Sequence, residues 1–104
     1  MKVKIPREIK IASHTYRIVF NPNLIMDGNR HGQVDHRKQT IEIQAGNPPS
    51  LLAETLLHEV IHIGEFCYRI PIDDSDVDRI AETVMQFLCN LNIEFDWELI
   101  EGDG

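Results

Sequence analysis

The stretch ETLLHEVIHIGEF, residues 54–66, places two histidines and a glutamate inside an apolar helical run. Residues four apart stack on one face of a helix, so His58 and His62 point the same way, and Glu59 projects beside them. The spacing H-E-x-x-H on a helix is the pattern in which two imidazoles bind zinc and the glutamate serves as general base. The stretch therefore predicts a core helix that carries a metal site.

Length, composition and charge constrain the number of domains, the class of protein and the kind of partner. The 104 residues suit one compact domain, 1–104, and 42% apolar with 26% charged residues indicate a globular protein. The formal charge of -7 argues against nucleic acid or an anionic membrane as a partner. We therefore expect a partner other than a polyanion.

Targeting signals and cysteines point to the cytoplasm. The start, MKVKIPREIK, lacks the apolar segment of a signal peptide, and no apolar run approaches the roughly 20 residues that span a bilayer. Cys67 and Cys89 do not make a disulfide framework, and we expect both as small buried thiols. A reducing cytoplasmic location is the expectation.

The first half of the chain reads as strands. Residues 9–20 are rich in β-branched and aromatic residues, with a turn expected at Ser13-His14. Residues 32–44 resemble a second hairpin, whose second arm, TIEIQ at 40–44, alternates apolar and polar residues. Short connections predict three or four antiparallel strands.

Two helices follow the sheet. Apolar residues at helical spacing predict a helix from about Ser50 to 67–68, because Pro71 cannot continue it. A second helix is expected to begin near 73–75, where acidic residues favour the helix N-terminus. Its apolar stripe predicts core packing and consists of Val77, Ile80, Ala81, Val84, Met85, Leu88 and Leu91.

The fold class that these elements predict is α+β, a small antiparallel sheet of three or four strands followed by two packed helices. The tail after the second helix is expected to dock through Phe95, Trp97 and Leu99, and its last residues, Gly102 to Gly104, to fray. No repeat, linker or second domain is visible in the sequence.

A catalytic zinc site needs a third protein ligand, and no further histidine follows His62 in the spacing that would supply it. The second helix offers Asp74, Asp78 and Glu82 on a single face. An antiparallel helix pair favours Asp78 as the ligand, with Glu82 supporting a ligand histidine from behind. Glu82 remains an alternative ligand. Asp74 is interpreted first as a negative charge that stabilises the N-terminus of the helix.

These residues together resemble a family. The small sheet, ETLLHEVIH on one helix and DSDVDRIAETVMQFL on the next resemble the minimal gluzincin metallopeptidases. The likeness is greatest to short bacteriophage- and prophage-encoded H-E-x-x-H proteins and more distant to ImmA/IrrE and thermolysin-like peptidases. It implies a minimal zincin core that binds Zn²⁺ through His58 and His62, with Glu59 as base. The family's third ligand is an acid, most often Glu, on the second helix.

The resemblance also implies a substrate and a location. In gluzincins the strand before the zinc helix is often an edge that pairs with extended substrate, a role that falls to residues 40–44 here. A peptide or protein substrate and the cytoplasm of a bacterial host cell follow from it. Candidates for a residue that polarises the substrate carbonyl are Tyr68, His14 and His36, which the sequence does not separate.

The expected function is zinc-dependent hydrolysis of peptide bonds, with Glu59 taking the proton of the attacking water. Two rivals remain. One is a zinc amidase that acts on a non-protein substrate and would use the same residues. The other is a non-catalytic zinc-binding interaction module, which the presence of Glu59 argues against because a purely structural site needs no base.

Overall fold

The computed structural model describes residues 1–101, and the predicted fraying of 102–104 lies outside them. The described part is α+β, as predicted, with a four-stranded sheet, a two-stranded ribbon and four helices. In chain order the elements are β1 Lys2–Lys4, β2 Glu8–Ile11, β3 His14–Asn21, α1 Leu24–Gly28, β4 Gly32–Asp35, β5 Thr40–Gln44, α2 Pro49–Tyr68, α3 Asp74–Asn90, β6 Glu94–Asp96 and α4 Glu98–Glu101.

The four-stranded sheet is mixed, so the prediction of a purely antiparallel sheet is wrong. Its order is β2-β3-β5-β4, with β3 and β5 parallel and the two outer pairs antiparallel. The reason is the route of the chain after β3. Residues 22–31, which include α1, carry it across to the far edge, where β4 forms. The hairpin then returns β5 into the gap beside β3, which makes these two strands parallel.

This topology changes which strand is exposed at the sheet edge. The prediction that residues 40–44 form an edge is wrong, because β5 is hydrogen-bonded to β3 on one side and β4 on the other. Among the described residues the edge nearest α2 is β4, whose outer side has no strand partner. A peptide that extends the sheet beside α2 would therefore pair with β4.

Helix α2 lies on one face of the sheet and is the centre of the core. Pro49 opens it at the first helical turn, where a missing N–H costs nothing, and Arg69 ends it in a left-handed conformation with φ 55°. The helix begins and ends close to the predicted bounds. Its sheet-facing residues pack with strand residues and the C-terminal tail in one cluster of Ile5, Tyr16, Ile18, Ile41, Ile43, Leu52, Leu56, Ile63, Trp97 and Ile100.

The start of the chain pairs with the residues that follow α3, a feature that the sequence did not predict. Strand β1 pairs in parallel with β6, and the terminal ammonium of Met1 donates to the carbonyl of Asn92 at 2.6 Å. Trp97 is buried and Phe95 packs against the core, so the predicted docking of the tail is confirmed for these two side chains. The ribbon therefore ties the tail after α3 to the start of the chain.

Helix α3 returns from a short loop and packs on α2, but through a narrower face than predicted. Val77 and Ala81 are fully buried, whereas Ile80, Val84 and Leu91 are exposed. The prediction that the whole stripe packs in the core is wrong, because α2 covers only the side of α3 that carries Val77 and Ala81. Cys89 is exposed as well, which corrects its prediction as a buried thiol.

Gly32 is the point where β4 approaches α2 most closely. A Cβ at this position would lie 2.5 Å from Cγ2 of Thr55 and 3.3 Å from Cγ of Glu59. Real side chains essentially never come within 3.0 Å in this way, so the two elements can meet here only around a glycine. Because Gly32 has no Cβ, the edge of β4 can lie directly beside the aliphatic part of the Glu59 side chain.

We expect Gly32→Ala to destabilise the protein by about 1–3 kcal/mol, the usual cost of overpacking. Thr55→Ser removes the clashing methyl group and keeps the hydroxyl that donates to Leu51 O at 2.7 Å, so it should restore most of the loss in the double variant. Urea unfolding measures both effects. Gly64→Ala is the matched control.

A Cβ at Gly64, in the interior of α2, meets nothing within 4 Å. Gly64→Ala should therefore stabilise the protein by up to about 1 kcal/mol through helix propensity. A Gly32→Ala variant as stable as wild type would show that β4 and α2 are not in the close contact described here.

Candidate metal centre

His58 and His62 converge on one point at the surface of α2. Their Nε2 atoms lie 2.9 Å apart, and the ring planes stand at 72° to each other. Ligand atoms of His58, Glu59 and His62 all lie within 4.8 Å of one another. Zinc bonds of about 2.0–2.1 Å at a tetrahedral angle place two nitrogens about 3.3 Å apart, so the pair needs to open only slightly to hold an ion.

The remote nitrogen of each ring is held by a carboxylate. His58 Nδ1 lies 2.8 Å from Oδ1 of Asp78, and His62 Nδ1 lies 2.8 Å from Oε1 of Glu65. An ionised carboxylate can only accept a hydrogen bond, so both Nδ1 atoms carry the hydrogen. In neutral imidazoles both Nε2 atoms then present lone pairs to each other. That arrangement is repulsive unless a proton or a cation lies between them.

Glu59 is the buried member of the cluster. It is 5% exposed, and no group among residues 1–101 donates a hydrogen bond to its carboxylate. Burial raises the pKa of Glu59, while the nearby His58, His62 and Arg30 pull that pKa back down. Neither carboxylate oxygen is both fully buried and without a partner, and Glu59 lines both cavities beside the histidines, so its stem is covered while its oxygens reach the open space of the cleft.

A cleft runs past the cluster between β4 and the C-terminal half of α2. A cavity of about 740 Å³ contains the histidine pair and reaches from Gly32 to Asp74, and a second cavity of about 300 Å³ continues on the His58 side. Gly32 lies against Glu59, and His36 stacks on Phe66 at 3.9 Å, so β4 runs in the same direction as α2. The free edge of β4 thus borders the cleft along its length.

The three acids proposed for the third ligand occupy different places. Asp78 contacts the outer nitrogen of His58 and lies outside the three-residue cluster. Asp74, one helical turn earlier on the same face, lines the larger cavity with both histidines. Glu82 is exposed and lines neither cavity beside the cluster. The structure therefore brings Asp74 and Asp78 to the site and leaves Glu82 out.

The three candidates for a carbonyl-polarising residue are also separated. His36 lines the cleft, while His14 is exposed and bonded to Gln39, and Tyr68 is exposed outside the cleft. Tyr16, whose pKa is raised chiefly by burial, lies with its hydroxyl 3.1 Å from His36 Nδ1. Burial lowers the pKa of His36, which favours its neutral form. Of the three candidates, only His36 lines the cavity beside the histidine pair.

Sequence reasoning missed Glu65 and Phe66. Glu65 follows His62 by three residues on the same helix face, a spacing that could have identified it as a partner of the ring. Phe66 contacts His36, which lies 30 positions earlier in the sequence, and no local sequence pattern predicts such a contact. Its position depends on the direction of β4, which the sequence did not establish.

Comparison of the chain with known protein families, with curated proteins and with solved structures finds no match. No described helix is both long and apolar enough to cross a bilayer.

Removing either supporting carboxylate should weaken metal binding while the fold persists. Asp78→Asn and Glu65→Gln each leave an acceptor beside Nδ1 but remove the charge that orients the ring and raises its basicity. We expect a loss of about 10–100-fold in Zn²⁺ affinity for each, measured by competition with a chromophoric chelator. Glu82→Gln, an exposed acid on the same helix, is the control and should leave the affinity unchanged. Equal losses in all three variants would contradict the assignment.

Proposed function

We propose that the chain is a zinc-dependent peptidase that hydrolyses peptide bonds in the cleft between β4 and α2. The observation that carries the proposal is the pair of Nε2 atoms facing each other at 2.9 Å, each imidazole held by a carboxylate at its other nitrogen. The donor set of two imidazoles and nearby carboxylates suits Zn²⁺ with an open position. The resemblance to minimal gluzincins and the bacterial cytoplasm as location belong to the same proposal.

We assign the third ligand to Asp74, in place of the Asp78 that the sequence favoured. Asp78 is occupied at the outer nitrogen of His58, which is the position of a residue that orients a ligand. Asp74 shares its face one turn earlier and lines the larger cavity together with both histidines. It is exposed and lies outside the close cluster, so its side chain must turn toward the histidines on binding.

In this proposal a few residues share the chemical roles of the hydrolysis. A zinc ion held there would acidify a water molecule and polarise a carbonyl oxygen. Glu59 accepts the proton of the attacking water and passes it to the leaving amine. His36, if Tyr16 donates to its Nδ1, carries its hydrogen on Nε2 and can donate it to the substrate oxygen.

An extended peptide is the substrate that the cleft fits best. The outer side of β4 has no strand partner among the described residues, so its backbone N–H and C=O groups can pair with a peptide strand. Such a strand would lie beside Glu59 at the Gly32 end and beside Phe66 at the His36 end. An amidase acting on a non-protein substrate would not need this edge. A panel of peptides and cell-wall amides distinguishes the two activities.

Glu59→Gln should keep the fold and one equivalent of zinc but abolish hydrolysis. The amide is nearly isosteric with the carboxylate and cannot take a proton, so we expect a fall of at least about 100-fold in kcat/KM on any cleaved peptide. Metal analysis and thermal unfolding of the same sample show that the site and fold are intact. Activity equal to wild type would refute the base, and lost zinc would make Glu59 a ligand instead.

Asp74→Asn should weaken Zn²⁺ binding more than Asp78→Asn does, because a ligand supplies a direct bond and a neutralising charge. The loss should exceed the 10–100-fold expected for a supporting carboxylate. Asp76→Asn is the matched control, an acid of the same first turn that binds Arg79 at 3.2 Å instead of facing the cleft. If Asp78→Asn proves the most damaging, Asp78 is the ligand and the register of α3 differs from the one described.

A further inference from the structure

The free edge of β4 exposes the backbone groups of Gly32 and Val34. The N–H of Gln44 donates to the carbonyl of His31 at 2.7 Å, so these two residues form a hydrogen-bonded pair of the antiparallel ladder between β4 and β5. Such pairs alternate along a ladder, so Gln33 also points its N–H and C=O groups at β5. The N–H and C=O groups of Gly32 and Val34 therefore point away from β5, where an added strand can bind them.

The side chains of β4 alternate between the two faces of the sheet. Val34 packs against the core cluster, and Gly32 lies against Glu59 of α2. Gln33 points to the opposite face, where its Nε2 donates to Oε2 of Glu42 at 3.1 Å. A peptide strand beside β4 has the same alternation whichever way it runs, so the peptide residue level with Gln33 points its side chain away from α2.

Arg30 lies on the face to which that peptide side chain points. Its Nη1 donates to Oε1 of Gln33 at 3.1 Å. The Gln33 amide cannot turn round without losing its bond to Glu42, so its oxygen stays directed at Arg30. Arg30 and Gln33 line the larger cavity of the cleft and also a cavity of about 230 Å³ beside α1. The guanidinium is thus held at the edge of the sheet, beside the path of an added strand.

The positive charge of Arg30 is not neutralised by the protein. A guanidinium has five N–H donors, and one of them goes to the neutral amide of Gln33. No carboxylate among residues 1–101 forms an ion pair with Arg30. Glu42, the acid in the same network, accepts instead from Nδ2 of Asn21 at 2.7 Å and from Gln33. The remaining donors form a planar fork, and the ligand that fits such a fork is a carboxylate.

We propose that the preferred peptide carries a glutamate or aspartate at the residue level with Gln33, and that Arg30 binds its carboxylate. The inference rests on the proposed function, because it takes the substrate to be a peptide that lies along β4. The C-terminus of a peptide is a second source of a carboxylate. We assign the side chain, because the side chain of this residue points to the face of Arg30 whereas the peptide backbone continues along the edge.

Titration calorimetry on the full chain carrying Glu59→Gln tests the proposal, because this reference protein should bind peptides without cleaving them. Short peptides with acetylated N-termini and amidated C-termini differ only at one central residue, which is Glu, Gln or Lys. The reference protein should bind the Glu peptide about 10-fold more tightly than the Gln peptide, the usual effect of a charge-assisted hydrogen bond.

Three variants in the same background assign the preference to one residue. Arg30→Gln should abolish the difference between the Glu and Gln peptides, and Arg30→Glu should make the Lys peptide the tightest of the three. Arg69→Gln is the matched control, since it removes the same charge from the lining of the larger cavity at the end of α2. This control should keep the preference for the Glu peptide.

Four results would overturn the proposal. The reference protein binds the Glu and Gln peptides equally, or its preference survives Arg30→Gln, or Arg69→Gln abolishes the preference as fully as Arg30→Gln does. The fourth result is an uncharged peptide with a free C-terminus that binds as tightly as the capped Glu peptide, which would make the terminal carboxylate the ligand.

Cleavage by the wild-type chain separates this inference from the proposed function. Moving the glutamate by one residue along a peptide should move the cleaved bond by one residue, as mass spectrometry of the products shows. Binding that depends on the acid but leads to no cleavage would support the role of Arg30 and contradict the proposed hydrolysis. Cleavage that is indifferent to the acid would support the hydrolysis and overturn the role of Arg30.

Discussion

Two imidazole nitrogens with their lone pairs aimed at each other, 2.9 Å apart, are the constraint on which the site depends. The pair is stable only with a positive charge between the nitrogens. Asp78 and Glu65 fix this tautomer by accepting the hydrogen of each Nδ1. One carboxylate comes from α3 and the other from α2 itself. Helix α3 must therefore return along α2 for the His58 ring to be held, and the short loop after Arg69 ensures that return.

The position of Glu59 is the second consequence of the same arrangement. His58, the residue before it, faces the proposed metal position, so Glu59 lies about a quarter turn round the helix, toward β4. There the glycine at position 32 lets the strand edge come close enough to bury the carboxylate stem. The carboxylate lines the cleft, where the proposed mechanism has it take a proton from a water molecule. The proposed peptide-binding edge and the proposed base thus depend on one close contact, that of Gly32 with Glu59.

The sequence predicted those parts of the molecule that depend on local spacing. His58, Glu59 and His62 share a helical pattern, so their convergence followed from 3.6 residues per turn. The parallel placement of β5 beside β3 could not be predicted from local spacing, because it depends on where residues 22–31 carry the chain. The error about the edge strand came directly from that topology. Asp74, Asp78 and Glu82 share one helix face, and only the packing of α3 on α2 separates their roles. The exposure of Ile80, Val84 and Leu91 could not be predicted for the same reason, since periodicity predicts an apolar face but not what covers it.

The most direct test of the central claim is X-ray absorption at the zinc edge, on protein loaded with one equivalent of Zn²⁺. Scattering by imidazole rings is distinct from that of isolated oxygen atoms, so the spectrum counts histidine ligands. We expect two histidine ligands at about 2.0–2.1 Å with oxygen as the remaining ligands. Imidazole scattering should be lost in His58→Ala/His62→Ala. A shell of oxygen alone, a sulfur ligand, or a two-histidine spectrum that survives in the double variant would contradict that claim.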